Sequence, residues 1–165
     1  SRFKKNNFKI KLINNIKISN NYHKDWVINK IKDINININS KIIAVWGLSY
    51  KENSNTLRRS LAVEVGNKLL KKNTKLNVFD PLVKNLPKNW KSKCIKYDNY
   101  YESIKNAHIL IIFTNSDLYK NIKLSHLTRS NKKLIIIDQN NYLSGVKNID
   151  NHKMISYFTL GKNIK

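Results

Sequence analysis

The sequence predicts an α/β fold: a parallel sheet of about five to six strands, helices on both faces, and a helix ahead of it. Three observations carry this. Ile42 to Trp46, Ile109 to Phe113 and Leu134 to Ile137 are short, continuous apolar runs, as expected of strands buried on both faces. Segments with helical spacing or capping residues alternate with them, which supplies crossovers between parallel strands. Gly47 then breaks the first run into a polar loop, and such folds place ligands at the carboxyl ends of their strands.

The elements follow in order. Ile13, Ile16 and Ile18, then Trp26, Val27, Ile28 and Ile31, give an approximate helical apolar face, which Asn20-Asn21 would soften or bend. The stretch Ile34-Asn-Ile-Asn-Ile-Asn-Ser40 alternates with period two and suits either a strand or an extended, low-complexity linker. We assign 1–33 to the helical segment, 34–40 to a linker and 41–165 to the sheet domain. Lys41 to Trp46 is a buried strand, and Ser60 is a fitting N-cap for a helix reaching Lys72. Leu76 to Phe79 is the second strand, stopped at Asp80-Pro81 because proline removes a ladder donor. A loop over 82–93, rich in Lys and Asn, leads to a strand at Cys94 to Tyr97 and a short helix at Tyr100 to Asn106. Thr114-Asn-Ser-Asp117 after the next strand suits a turn and helix start. A short helix near Ile122 to Thr128, a strand capped by Asp138 and a last strand, Ile155 to Leu160, complete the series.

Composition bounds what this fold can do. The 165 residues suit one domain with a short extra element, and at 41% hydrophobic and 25% charged the chain is ordinary for a globular protein. No apolar run approaches the roughly 20 residues that cross a bilayer, and the basic start lacks the apolar core of a signal peptide. Cys94 is the single cysteine and supports neither a disulfide nor a thiolate metal site, so a reducing cytoplasm is expected. The start at Ser1 rather than Met reads as a fragment or trimmed product. Lys and Arg total 32 against 10 Asp and Glu, a formal +22. The excess is mainly Lys, spread end to end among abundant Asn and Ile, as an AT-rich coding sequence favours. Nucleic-acid readers concentrate Arg and aromatics on one element instead. The same lysine background attracts nucleotide phosphates.

In the loop after Gly47, Lys51 and Arg58 offer charge-assisted bonds to a diphosphate, and Tyr50 can line a sugar or base pocket. Asp80 ends the second strand, where dinucleotide folds place a ribose-binding acid. Its spacing from Gly47 is long and Pro81 follows, so we read it as turn-forming. His23, His108, His126 and His152 lack the spacing of a helical metal pair, and no metal is expected. Trp26, Trp90 and Tyr100-Tyr101 read as core or interface.

Gly47-Leu-Ser-Tyr-Lys51, Arg58-Arg-Ser60 and Phe79-Asp-Pro81 together resemble the C-terminal domain of the UDP-glucose/GDP-mannose dehydrogenase family. That family carries Gly-Leu-Ala/Ser-aromatic-Lys, Arg-Glu-Ser and a strand ending in Asp-Pro. Thr114 to Tyr119, Ile136-Ile-Asp-Gln-Asn-Asn141 and Leu160-Gly161 agree in order, and Asn20-Asn21 with Trp26-Val27 resembles the family's central helix. The resemblance implies a Rossmann-like sheet that binds a UDP- or GDP-linked sugar through Tyr50 and Lys51, with Arg58 reaching NAD across a domain cleft. It also implies oxidation of the sugar C6 alcohol to a carboxylate, of the UDP-glucose to UDP-glucuronate type, and a homodimer through the N-terminal helix. The family's glycine-rich NAD domain and its Gly-Gly-x-Cys motif are not in this sequence, and Cys94 is misplaced to replace that cysteine. No catalytic residue is therefore assigned here, NAD is expected to be held mainly elsewhere, and the isolated chain is expected to be inactive. Arg59, Leu61, Ser116 and Asn140 stand where the family has Glu, Pro, Trp and Arg. A degenerate, non-catalytic remnant and a basic nucleic-acid-binding module stay open as alternatives.

Overall fold

Six strands form a single sheet: β1 (Ile42–Trp46), β2 (Lys75–Phe79), β3 (Cys94–Tyr97), β4 (Ile109–Ile112), β5 (Leu134–Asp138) and β6 (Ile155–Phe158). Their order is β3-β2-β1-β4-β5-β6, and every neighbouring pair is parallel. The structure is a computed structural model and describes residues 25–129 and 132–161. The apolar runs at β1, β4 and β5 occupy the middle of this order, where both faces are covered. Every residue of β4 is buried.

Helices cover both faces. Helix α2 (Leu61–Leu70) buries Ala62, Val65, Leu69 and Leu70, and Ser60 caps it by accepting the Val63 N–H at 3.2 Å. Gly66 on α2 lies so close to Trp90 that a Cβ would sit 2.4 Å from the indole ring and 3.4 Å from Leu76. Helix α3 (Tyr100–Ile104) lies over the other face, where Ser103 O accepts the Asn77 side-chain amide at 2.9 Å. Leu76 and Asn77 are consecutive in β2, and successive strand residues point to opposite faces, so α2 and α3 lie on opposite sides. A last short helix, α4 (Leu124–Leu127), follows β4 and contributes Leu127 to the core cluster that includes Trp46, Ile104 and Leu110.

The strand expected at Cys94 is present as the sheet edge. The Cys94 thiol is half-buried, and burial pushes it up to about 11, which disfavours the thiolate at neutral pH. Residues 25–33 are helical and form α1, with Trp26, Val27 and Ile31 buried; Ile13, Ile16, Ile18 and Asn20-Asn21 lie outside the described residues. The alternating stretch 34–40 forms no strand: Asn35 and Ser40 take positive φ, which breaks extended backbone at both ends. The chain divides into two compact units between Ile36 and Asn37. No helix among the described residues is long and apolar enough to cross a membrane.

Candidate functional site

The strand order reverses between β1 and β4, because the chain builds outward through β2 and β3 before returning to β1's other side. Loops leaving the carboxyl ends of β1 and β4 therefore part company and leave a crevice, the position where open α/β sheets bind ligands. Gly47 makes the first bend with φ +74°. A Cβ there would stand 2.5 Å from the Thr114 backbone oxygen, so the close approach of the β1 and β4 ends also requires glycine. The Thr114 hydroxyl donates to Ser49 O at 2.8 Å, lacing the two loops together.

Asp80 holds the same loop from the other side. Its Oδ2 accepts the Leu48 and Ser49 N–H groups at 2.7 and 2.9 Å, and its Oδ1 accepts those of Leu82 and Val83 at 2.9 and 3.0 Å. The side chain is buried and occupied by four amides, so it is the turn-forming residue read from the sequence and has no oxygen left uncommitted for a ribose. Ser60 is engaged at both ends as well, donating its hydroxyl to Leu48 O at 2.7 Å while it caps α2. The first part of the loop and the start of α2 are thus fixed from within.

What remains for a ligand lies further along. Tyr50 is 55% exposed, and Lys51 and Arg58 are exposed on the same β1–α2 loop. Tyr50 N–H donates to Thr56 O at 2.9 Å, which closes the loop's tip on itself. Among the described residues neither Lys51 nor Arg58 has an ion-pair partner, so both charges face outward. Asn53 and Arg59 take positive φ in this loop. Asn140, on the turn after β5, is exposed and donates its amide to the Tyr142 hydroxyl at 2.9 Å. Tyr50, Leu82 and Leu118 leave apolar side chains exposed at this end of the sheet.

The crevice itself is a cavity of about 120 Å³ between Gly47, Asp80, Asn115, Ser116 and Tyr119, and it contains none of the three residues assigned from sequence. Tyr119 was missed in the sequence reading. It enters through a 3-10 turn, Asp117–Asn121, capped by Ser116, and its ring stacks on Trp46 with centroids 5.3 Å apart. Trp46 also meets Phe79 and Tyr100 edge to face, so Tyr119 is anchored in an aromatic cluster. Burial, with the Asp80 and Asp138 carboxylates nearby, pushes the Tyr119 hydroxyl far up from its usual range, so it is a donor at any physiological pH. Only the spacing Ser116-x-x-Tyr119 after an apolar strand could have flagged it.

A sequence profile described as "UDP-glucose/GDP-mannose dehydrogenase family, UDP binding domain" matches residues 44–145, which spans β1 through the turn after β5. The chain belongs to this family. Among curated relatives, the UDP-glucose 6-dehydrogenase of Rickettsia conorii is 30% identical over 77% of this chain and 29% of its own length. The UDP-N-acetyl-D-mannosamine dehydrogenase of Methanococcus vannielii is 26% identical over 78% of this chain and 27% of its own. The chain spans between 17% and 38% of the length of the curated relatives it matches. A solved UDP-N-acetyl-mannosamine dehydrogenase from Staphylococcus aureus shares the fold, with a TM-score of 0.63 at 23% identity over 85% of this chain and 31% of that one. Family and fold thus agree with the resemblance drawn from Gly47, Lys51 and Asp80-Pro81.

Proposed function

We propose that this chain is the nucleotide-sugar-binding part of an NAD-dependent dehydrogenase that oxidises a sugar C6 alcohol to a carboxylate, of the UDP-glucose to UDP-glucuronate type. The observation that carries the reading is the pairing of the family match with two exposed cations, Lys51 and Arg58, without ion-pair partners among the described residues, on a loop held rigidly at the sheet's switch point. In this reading Lys51 meets the diphosphate as a point charge and Tyr50 lays its ring against the base or sugar. Arg58, just before the start of α2, reaches a pyridine dinucleotide held mainly by residues outside this chain. NAD supplies hydride acceptance when bound.

The described residues do not themselves build a dinucleotide site. Asp80 is occupied by four amides, and the loop from Gly47 to Ser60 contains one glycine rather than the three of a dinucleotide turn. The apolar rim of Tyr50, Leu82 and Leu118 suits cover by a further domain, since exposed apolar side chains grouped at one end mark interaction surfaces. The 1–33 segment would serve the homodimer contact, and the 165 residues alone would not reduce NAD.

Calorimetric titration of the 165-residue chain with UDP and UDP-glucose is the direct test. Binding that weakens with salt, and about tenfold more weakly in Lys51→Ala, is expected for one exposed charge-assisted contact. Unchanged binding in that variant would remove Lys51 from the site. Reduction of NAD by the chain alone with any UDP- or GDP-sugar would overturn the division of labour. Tight, steeply salt-dependent binding of DNA or RNA without UDP binding would favour the basic nucleic-acid module instead.

A further inference from the structure

A further concentration of positive charge lies beside the edge strand β3. A cavity of about 670 Å³ opens there between Leu57, the loop leading into β3, and Cys94 and Lys96 on the strand itself. None of Tyr50, Lys51 and Arg58 lines it. Lys84, Lys88, Lys91 and Lys96 are four of its nine lining residues, whereas Lys and Arg together are 32 of 165 in the chain. A uniform lysine background therefore does not account for this wall. No carboxylate lines the cavity, while the crevice at the switch point has Asp80 and Asp117, and a cavity beside α3 and α4 has Glu102. Of the four lysines, only Lys96 has an ion-pair partner among the described residues, the exposed Asp98 at 3.1 Å.

The backbone holds these lysines together. Trp90 is fully buried against Gly66 of α2, and its indole N–H donates to Asn67 Oδ1 at 2.8 Å. It ends a 3-10 turn, Lys88–Trp90, that its own N–H closes onto Pro87 O at 2.9 Å, and Lys91 is the C-cap. Side chains three apart on such a turn eclipse, so Lys88 and Lys91 leave the same side of an anchored element. Lys96 pairs with Val78, two residues on from Leu76, and so faces the α2 side of the sheet. Like charges brought together cost free energy unless an anion joins them. Lysine on an edge strand also blunts unwanted strand pairing, which accounts for Lys96 but not for the three lysines off the strand.

We propose that this cavity is a separate anion site that takes an oligophosphate, a chain of three or more linked phosphates, on Lys84, Lys88, Lys91 and Lys96. Ammonium groups are point charges that suit phosphate oxygens and lack the planar fork that selects carboxylates. A single carboxylate would leave most of the charge unanswered, whereas linked phosphates bring at least one negative charge each. No aromatic side chain lines the cavity, so no ring is offered to a base. Its volume falls within the roughly 300–1,000 Å³ of small-ligand pockets, which favours a compact anion over a polymer. An inorganic chain and the tail of a nucleoside triphosphate share this chemistry. The site goes beyond the nucleotide-sugar reading and does not depend on it.

Calorimetric titration of the 165-residue chain with sodium tripolyphosphate at low salt is the test. Saturable binding that weakens as salt rises is expected, and Lys88→Gln combined with Lys91→Gln should weaken it at least about tenfold. Lys147→Gln combined with Lys153→Gln removes the same charge from exposed lysines that line none of these cavities, and should change affinity less than about twofold. Equal losses in the two double variants would mean a response to net charge alone and overturn the site. So would an absence of binding. Binding that UDP displaces and Lys51→Ala abolishes would put the phosphates on the β1–α2 loop, which also overturns it. UDP affinity should be the same in the Lys88/Lys91 double variant as in the parent chain, so failure of this site leaves the nucleotide-sugar reading standing. ATP bound as tightly as tripolyphosphate, with adenosine unbound, assigns the site to a nucleotide's phosphate tail. ATP bound about tenfold more weakly assigns it to an inorganic chain. A single-stranded oligothymidylate bound more tightly than either, and lost in the same double variant, would give this face to a nucleic-acid backbone and overturn the proposal.

Discussion

Asp80 and Asp138 end β2 and β5, one strand in from the β3 and β6 edges of the same sheet, and both collect loop donors while buried. Their partners differ. Asp80 takes four backbone N–H groups from two loops, its own and the one leaving β1. Asp138 takes two, from Tyr142 and Leu143 in its own turn, at 3.0 and 2.8 Å; its third donor is the Tyr157 hydroxyl from β6 at 2.8 Å. One carboxylate therefore holds the loop that carries Tyr50, Lys51 and Arg58, and the other ties a turn to an edge strand. A strand-end aspartate can be a ligand group, a loop clamp or an edge tie, and only its donors distinguish these.

The largest effect should come from breaking the first clamp. In Asp80→Asn one oxygen becomes an amide NH₂, which faces two backbone N–H groups that have no other acceptor. At about 1–3 kcal/mol for each buried orphan, a loss of about 4 kcal/mol is expected by urea denaturation. Whichever pair is lost, the β1 or the β2 loop is freed, so UDP affinity should fall even in the fraction that stays folded. Full UDP affinity in Asp80→Asn would show that the clamp does not position the loop. In Asp138→Asn the cost should be about half, roughly 2 kcal/mol. The Tyr157 hydroxyl is a rotor and can accept from the new NH₂, leaving one orphaned N–H instead of two. UDP affinity should change little, since Tyr50, Lys51 and Arg58 stay on their clamp. Equal costs for the two variants would remove the distinction.

The comparison also shows what the sequence could disclose. Ile42–Trp46, Ile109–Ile112 and Leu134–Asp138 are buried on both faces, so they carry a signal that needs no partner to be read, and the Ser60 cap is local for the same reason. Asp80 was readable as a turn residue from Pro81, but not as a clamp, because Leu48 and Ser49 are more than thirty positions away in the chain. Tyr119 was invisible for a related reason. Its burial and orientation depend on Trp46, which it meets only across the sheet. The alternation at 34–40 misleads in the opposite way, since period two describes side-chain chemistry while the positive φ of Asn35 and Ser40 decides the backbone.

The smallest effect expected is also the one most sensitive to pH. Burial raises the Asp138 carboxyl above its usual range, and the donated bonds from Leu143, Tyr142 and Tyr157 partly oppose this. A raised folded-state value means that the folded protein holds the proton more tightly than the unfolded chain. The stability this contributes is therefore full below the unfolded value of about 3.9 and is lost as pH rises through the folded value. Tyr157→Phe deletes a donor that favours the charged form, so the folded value moves higher and the loss continues to higher pH. At low pH, where both proteins hold Asp138 protonated, the difference should shrink to what the second bond of the Tyr157 hydroxyl, donated to Asn141 Oδ1 at 3.0 Å, contributes. At neutral pH the variant should be less stable by about 1.5 kcal/mol, the low end for a hydrogen bond to a charged group. Urea midpoints of the two proteins at a series of pH values would give the difference directly. A gap that is constant with pH would mean that Tyr157 acts through its bond to Asn141 and its packing at the β6 edge and gives no support to the Asp138 charge.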